Sequence, residues 1–301
     1  MPQDTLPAES QDTAGIDYLD ERDAATDQRW REVLTGQAAM QVSSRLSRAI
    51  FRHLPSEPRC KWCYAPYGAP FGPLVARLGY GRWDRNPSLC QVCMTYMERN
   101  QGGAEVELAV MFADLRGSTE LAATMSPSAY MRLLNTYYGI AGHAIQAHGG
   151  IVDKYLGDGV LALFLHGYCD THPAAAAVEA AARILETVAD HRDLPAERRP
   201  LPVGVGVHYG EAYVGIVGQA GQPTDFTALG DAVNVAERVS SAAGAGELMV
   251  SDVARQQLGQ PLEGAERREL TLKGVAEPVP AWSVTVPAAV PATERAPKKD
   301  D

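Results

Sequence analysis

The sequence predicts an α+β chain with a ferredoxin-like β-α-β-β-α-β order and additional strands, preceded by a helix and a small metal-cysteine module. Three observations lead there. Apolar runs with strand periodicity alternate with capped helical patterns from about residue 105 onward. A Gly157-Asp158-Gly159 turn joins two such runs directly, as in a hairpin. Ahead of this pattern, four cysteines fall into two C-x-x-C pairs within a single window.

Taken in order, residues 1–26 are polar and acidic, and disorder is expected there. From Asp27 to Leu54 the residues Trp30, Leu34, Val42, Leu46, Ile50, Phe51 and Leu54 recur at helical spacing, and Pro55 and Pro58 end the run. Together with the cysteine module, this helix makes up a region 27–100. Trp62, Tyr64, Phe71, Leu74, Val75 and Leu78 are expected to form a small core around a metal, because so short a module is hard to fold on apolar burial alone. Gln101-Gly102-Gly103 reads as a linker to the main domain, 105–286.

In that domain, Val106–Ala113 is a buried strand. Ser126 caps and Pro127 opens a helix with Tyr130, Leu133, Leu134, Tyr137, Ala141 and Ile145 on its apolar face, closed by Gly149. The strands Ile151–Tyr155 and Val160–Leu165 form the hairpin, and Pro173–Ala189 is an alanine-rich helix. A second hairpin is expected from Leu201–His208 and Ala212–Val217, turning at Gly210-Glu211. Asp231–Ala242 reads as a helix, and Glu247–Ser251, Arg268–Leu272 and Ala281–Val286 as strands. The tail 287–301 is expected to be disordered.

Composition narrows the function classes. The 301 residues are 46% hydrophobic and 21% charged, which is ordinary globular usage. No stretch reaches the ~18–20 apolar residues that span a bilayer, and the start M-P-Q-D-T-L lacks the apolar core of a signal peptide. A soluble, cytoplasmic protein without membrane association is expected. Net charge is −10 but uneven: residues 1–44 hold nine acids against three arginines, while 45–99 hold nine bases against three acids. The basic window suits an anion or an acidic partner. It has no aromatic-basic repeat for stacking bases, so nucleic acid is not an expected partner.

Cys60 and Cys63 lie in R-C-K-W-C-Y, and Cys90 and Cys93 in L-C-Q-V-C-M. In a reducing compartment two such pairs point to metal, since each sets up a bidentate thiolate chelate. Zinc is the first expectation; iron or an iron–sulfur cluster is the alternative, because sulfur ligation suits each. Cys169 stands apart in the turn before a helix and reads as structural.

Three further segments bear chemistry. Asp114 sits in V-M-F-A-D-L-R-G-S-T and Asp158 in V-D-K-Y-L-G-D-G-V, each where an apolar strand enters a turn. Paired carboxylates on the ends of neighbouring strands make a site for hard divalent cations. Taken singly, Asp114 could instead cap the following helix, and Asp158-Gly159 could be an ordinary hairpin turn. In T-D-F-T-A-L-G-D-A-V-N-V-A-E-R-V, Asn234 and Arg238 are four apart and share one helix face. An amide beside a guanidinium suits a sugar and a phosphate, although Arg238 could also pair with Glu237 or another surface acid.

Together these segments resemble the catalytic domain of class III nucleotidyl cyclases, from about Glu105 to Val286. The resemblance implies that Asp114 and Asp158 bind two Mg²⁺ or Mn²⁺ ions, with help from the Leu115 backbone. It implies that Lys154 and Thr227 contact the purine, Asn234 orients the ribose and Arg238 stabilises the transition state. Lys273, in T-L-K-G, matches a lysine that contacts the terminal phosphates; the second lysine often found after that glycine is Val275 here.

Base choice follows from hydrogen-bond patterns. Lys154, a donor only, suits adenine N1, and the Thr227 hydroxyl can accept from N6. Guanylyl cyclases of the family carry Glu and Cys at these positions, so ATP is the expected substrate. Guanylate cyclase, or a catalytically inactive nucleotide-sensing or dimerisation module, are the other readings. In the family the metal aspartates come from one protomer and the purine and transition-state residues from the other. This chain has one set of each, so a head-to-tail homodimer is expected, regulated by the N-terminal cysteine module.

Overall fold

The structure is a computed structural model, and it describes residues 13–37, 49–51, 53–54, 58–83, 89–195, 199–218, 224–271 and 278–285. The first helix, α1 (Thr13–Leu34), begins inside the segment expected to be disordered. Its last turns bury Trp30, Val33 and Leu34, and the helix extends back from that anchor. It also ends well before Leu54. Gly36, at φ +77, takes the left-handed conformation that closes a helix. Residues 49–51 are helical, and the expected helix positions Val42 and Leu46 lie outside the described residues. The expected tails over 1–12 and 287–301 lie outside the described residues.

The cysteine module contributes α2 (Gly72–Val75), a wide turn over Ala76–Tyr80, and α3 (Gln91–Arg99). The main domain then follows as β1 (Gly103–Leu115), α4 (Ser118–Ala123), α5 (Pro127–Ala147), β2 (Ile151–Leu156), β3 (Gly159–Leu165) and α6 (Pro173–Ala189). It continues through β4 (Val203–Val217), β5 (Asp225–Leu229), α7 (Asp231–Ser241), β6 (Glu247–Ser251), α8 (Asp252–Gln256), β7 (Glu266–Leu270) and β8 (Val279–Thr285). Ser126 caps α5 by accepting from the Ala129 N–H, with Pro127 in the first turn, a device worth about 1 kcal/mol.

These strands form one sheet in the order β2-β3-β1-β4-β6-β8-β7, with β5 paired to β4 off that path. The segment β2-β3-β1-β4 is the ferredoxin-like core, and the α+β expectation holds. One part differs. The expected hairpin at Gly210-Glu211 does not form; β4 runs straight through those residues, pairing Leu108↔Gly210 and Glu107↔Glu211 with the equally long β1. Continuous pairing with a long partner outweighs the local turn preference. Thr227 lies on β5, a strand the sequence did not reveal.

β1 is buried on both sides. Ala109, Met111 and Ala113 face α5 and α6, while Leu108, Val110 and Phe112 belong to the core on the other face. That second core holds Trp30 and Leu34 of α1, Trp62 and the four cysteines, and Ala232 and Ala236 of α7. The cysteine module therefore has no separate small core of its own; it covers the sheet. A strand that is apolar on both sides needs two covering layers, and the module supplies one of them.

Candidate active site

Asp114 sits near the end of β1, opposite Gly159 at the start of β3. The turn between β2 and β3 brings Asp158 back to it, with the Leu115 N–H donating to the Asp158 carbonyl at 3.4 Å. Gly157 makes this turn at φ +65, and the Tyr138 hydroxyl donates to its carbonyl. At Gly159 a Cβ would come within 3.3 Å of Asp114 Oδ1, so the glycine leaves room beside the carboxylate.

Burial, then the charge of Asp158, raises the Asp114 pKa, and the Arg116 guanidinium at 3.2 Å opposes them. The same two carboxylates, after burial, push Tyr130 upward. Two half-exposed carboxylates that repel each other fit a hard divalent cation, which would relieve that repulsion. Arg116 was not singled out in the sequence. Its guanidinium also donates to the Ser240 carbonyl at 2.6 Å, tying the Asp114 end of β1 to the end of α7. An arginine two residues after the aspartate was the available signal.

Across the same hairpin lies a second cluster. Lys154 Nζ is 3.5 Å from Asp153 Oδ1 and 3.8 Å from Asp225 Oδ2. The Thr227 hydroxyl donates to Asp153 Oδ2 at 2.6 Å. The register of β2 against β3 shifts between Val152 and Lys154, so the two charged residues escape strict alternation. Asp153 is buried, which raises its pKa, while Thr227, Lys154 and the Ala228 N–H pull it down. The sequence reading passed over Asp153 because, in a regular strand, it would face away from Lys154.

Gly230, at φ +139, opens α7. Asn234 and Arg238 project from the helix side opposite the buried Ala232, Ala236 and Val239. Among the described residues, the Arg238 guanidinium pairs with no acid, Glu237 included. Lys273 lies outside the described residues.

The four other candidates converge behind the sheet. The sulfurs of Cys60, Cys63, Cys90 and Cys93 lie within 4.8 Å of one another. Cys60 and Cys93 are 3.9 Å apart, and Cys63 and Cys90 3.6 Å. The Cys90 N–H donates to Cys60 Sγ and the Cys93 N–H to Cys90 Sγ. Burial would raise the Cys60 pKa, but hydrogen bonds from the other three thiols outweigh it and favour a thiolate. Tyr64, directly after Cys63, has φ +61, a left-handed conformation costing a non-glycine residue roughly 1–2 kcal/mol. Such strain is tolerated where a turn must close around a site. The buried Tyr67 hydroxyl lacks a hydrogen-bond partner and lies against Cys60, placed to donate to a thiolate. The donor set fits a metal that prefers sulfur. Cys169 stays apart, its thiol pushed up to about 12 by burial.

A mixed sheet, antiparallel except where β4 meets β6, with paired carboxylates on β1 and its neighbouring hairpin, defines the class of catalytic domain that the sequence resemblance implied. Residues 103–285 match the adenylate and guanylate cyclase catalytic domain, and the chain belongs to that family. An adenylate cyclase of Anabaena cylindrica is 38% identical over 135 residues, 44% of this chain and 26% of that protein. A Mycobacterium tuberculosis protein described as uncharacterised is 30% identical over 202 residues, 62% of this chain and 33% of its own length. The chain thus spans about a quarter to a third of the length of these relatives. Among solved structures, the guanylyl cyclase Cya2 superposes with a TM-score of 0.57 at 28% identity, covering 60% of this chain and 93% of that one. The adenylyl cyclase CyaB from P. aeruginosa gives 0.53 at 27%, covering 60% and 94%. Among the described residues no helix is long and apolar enough to cross a membrane.

Proposed function

We propose that the protein is an adenylate cyclase, converting ATP to 3′,5′-cyclic AMP and pyrophosphate in the cytoplasm. The observation that supports this most is the β2–β3 turn that brings Asp158 back beside Asp114, with Asp114 opposite Gly159 and the Leu115 N–H on the Asp158 carbonyl. In this reading the two carboxylates hold two Mg²⁺ or Mn²⁺ ions. Such ions supply Lewis-acid charge to the ribose 3′-hydroxyl and to the phosphoryl oxygens.

The chain's own residues do the rest. Arg238, unpaired among the described residues, is free to place positive charge where the α-phosphoryl oxygens gain negative charge, a contribution of a few kcal/mol. Asn234, one turn earlier on α7, orients the ribose. Lys154 donates to adenine N1. Because the Thr227 proton is directed to Asp153, the Thr227 oxygen is left to accept from the adenine N6 amino group. Lys273 is assigned to the terminal phosphates by the sequence motif alone.

Lys154 and Asp158 share one hairpin yet serve different sites, so the working unit is a head-to-tail homodimer. Tyr155, Leu156 and Leu229, exposed at 48%, 47% and 51%, give this region the apolar surface that a partner would cover. Zinc is the metal assigned to the four cysteines, and the module that holds it regulates the enzyme.

The test is turnover by the purified full-length chain with Mn²⁺ and either ATP or GTP. Cyclic AMP and pyrophosphate in equal amounts are expected, with little product from GTP. A preference for GTP would replace the reading with guanylate cyclase, and no product from either would leave an inactive module. Substituting Lys154→Glu together with Thr227→Cys should move the preference toward GTP; ATP turnover that survived unchanged would refute the base-pocket assignment.

A further inference from the structure

The cysteine cluster is small for a multi-iron centre. A single ion with metal–sulfur bonds of ~2.3 Å places four tetrahedral thiolates about 3.8 Å apart. The Cys60–Cys93 and Cys63–Cys90 separations of 3.9 and 3.6 Å match that edge, and no pair exceeds 4.8 Å. In an iron–sulfur cluster the thiolates are divided among separate irons, with iron and sulfide atoms between them, which spreads the sulfurs well beyond this spacing.

One of the two residues between Cys60 and Cys63 links that site to the sheet. Trp62, buried at 5% exposure, meets Phe226 of β5 edge-on at 5.6 Å and stacks with Tyr168 at 6.2 Å. Trp30 of α1 meets it from another side at 6.3 Å. On the flank of the same turn, Lys61 donates to the Gln146 carbonyl at the end of α5. Phe226 is the residue before Thr227, and successive strand residues face opposite ways. Trp62 therefore bears on one face of β5 while Thr227 meets Asp153 on the other. β5 is ladder-paired only to β4 among the described strands, so side-chain packing has to set its remaining freedom.

We infer that the four cysteines hold one tetrahedral metal ion rather than a cluster, and that this ion seats β5, and with it Thr227, by fixing Trp62 against Phe226. Trp62 is then a positioning residue. The consequence for purine recognition rests on the adenylate cyclase reading; the consequence for the strand does not.

The experiment uses the full chain, purified without air, with metal and acid-labile sulfide analysis followed by amide hydrogen exchange. One zinc or one iron per chain and no labile sulfide are expected; several irons with matching sulfide overturn the single-ion assignment. Stripping the ion with a chelator under reducing conditions should speed exchange over residues 225–229 at least about tenfold, reversibly on adding zinc, while β1 and β3 keep their protection. Trp62→Leu should keep the ion, show the same fast exchange, and raise the KM for ATP more than it lowers kcat. Unchanged exchange at 225–229 in Trp62→Leu overturns the strut. Should stripping unfold the whole sheet, the Trp62→Leu result decides. Should Trp62→Leu not fold, Phe226→Leu removes the same contact from the strand side and is read the same way. A chain that binds its ion and shows this exchange pattern but makes no cyclic nucleotide would refute the cyclase reading and leave the strut standing.

Discussion

The hydroxyl of Thr227 donates to Asp153 Oδ2 across 2.6 Å, and Lys154 Nζ lies 3.5 Å from the other oxygen of the same carboxylate. The longer approach gives Oδ1 a charge partner without a well-formed hydrogen bond. Asp153 is fully buried, and a carboxylate in that position is tolerated only because it is paired. Its effect is to fix which way the Thr227 proton points. A hydroxyl left to rotate could accept from adenine or donate to guanine; one committed to Asp153 can only accept.

Asp153→Ala should therefore lower the ratio of kcat/KM for ATP over GTP by about tenfold, equivalent to about 1.4 kcal/mol. Asp153→Asn keeps an acceptor for the Thr227 hydroxyl and should recover most of the ratio. Steady-state kinetics with both nucleotides checks this. An unchanged ratio in Asp153→Ala would mean that the Thr227 proton does not govern the choice.

The parts of this site that the sequence made legible are those with strong local signals. Ser126-Pro127 marked the start of α5, and Gly157-Asp158-Gly159 the hairpin, because caps and tight turns need particular residue types. What stayed hidden depends on partners distant in the chain. Gly210-Glu211 looks like a turn, yet it runs straight because β1 offers a ladder along its whole length. β5 is only five residues long and draws its order from β4 and Trp62. Asp153 and Arg116 gain meaning only from a register shift and from contact with Ser240 on α7. The cysteine spacing suggested a metal; that the module also forms one face of the sheet's core required the fold.

The carboxylate pair leads to a prediction about metal and pH. Burial and the Asp158 charge make the folded chain hold the Asp114 proton more tightly than the unfolded one. In the window just above the ordinary aspartate range, stability therefore falls as pH rises, and the pair costs stability at neutral pH. Mn²⁺ should offset this, raising the thermal midpoint of the wild type and leaving Asp114→Asn unmoved. Asp114→Asn should also be slightly more stable than wild type without metal, while its turnover falls by roughly 10²–10³-fold. Calorimetry with and without Mn²⁺ tests the first part, and a cyclic AMP assay the second.

Shared sites make a prediction that no single-chain enzyme would meet. Asp114→Ala and Arg238→Ala chains should each be inactive alone. Mixed equally and allowed to exchange, half of the dimers are heterodimers with one intact site, so about a quarter of wild-type activity should return. No recovery after confirmed exchange would show that each protomer is self-sufficient.

Acid stability should depend on His208, which stands on β4 with Nδ1 2.9 Å from the Ser251 hydroxyl. Ser251 also caps α8 by accepting from the Ala254 N–H, an arrangement that suits Nδ1 as an acceptor and the ring as neutral. Burial lowers the His208 pKa from 6.5 to about 4, so between these values the unfolded chain binds the extra proton. Stability is then fully present above about pH 6.5 and is lost as pH falls, by about 2 kcal/mol at pH 5 from this group. His172, lowered by burial and by neighbouring His166, adds to the same slope. Two acids act only further down. At Glu247, burial is outweighed by donors from Gly244, Ser283 and Arg268, and Asp252 is held low chiefly by the Trp282 indole N–H. Asp114 and Asp153, both raised by burial, work in the opposite sense just above the usual aspartate range. The histidine contribution is therefore read as the difference between wild type and His208→Gln in urea denaturation at pH 7.5 and pH 5. His208→Gln, which keeps an acceptor for Ser251 and cannot take a proton, should shrink the difference between the two pH values by up to about 2 kcal/mol. An undiminished difference would mean that the acid sensitivity lies elsewhere in the fold.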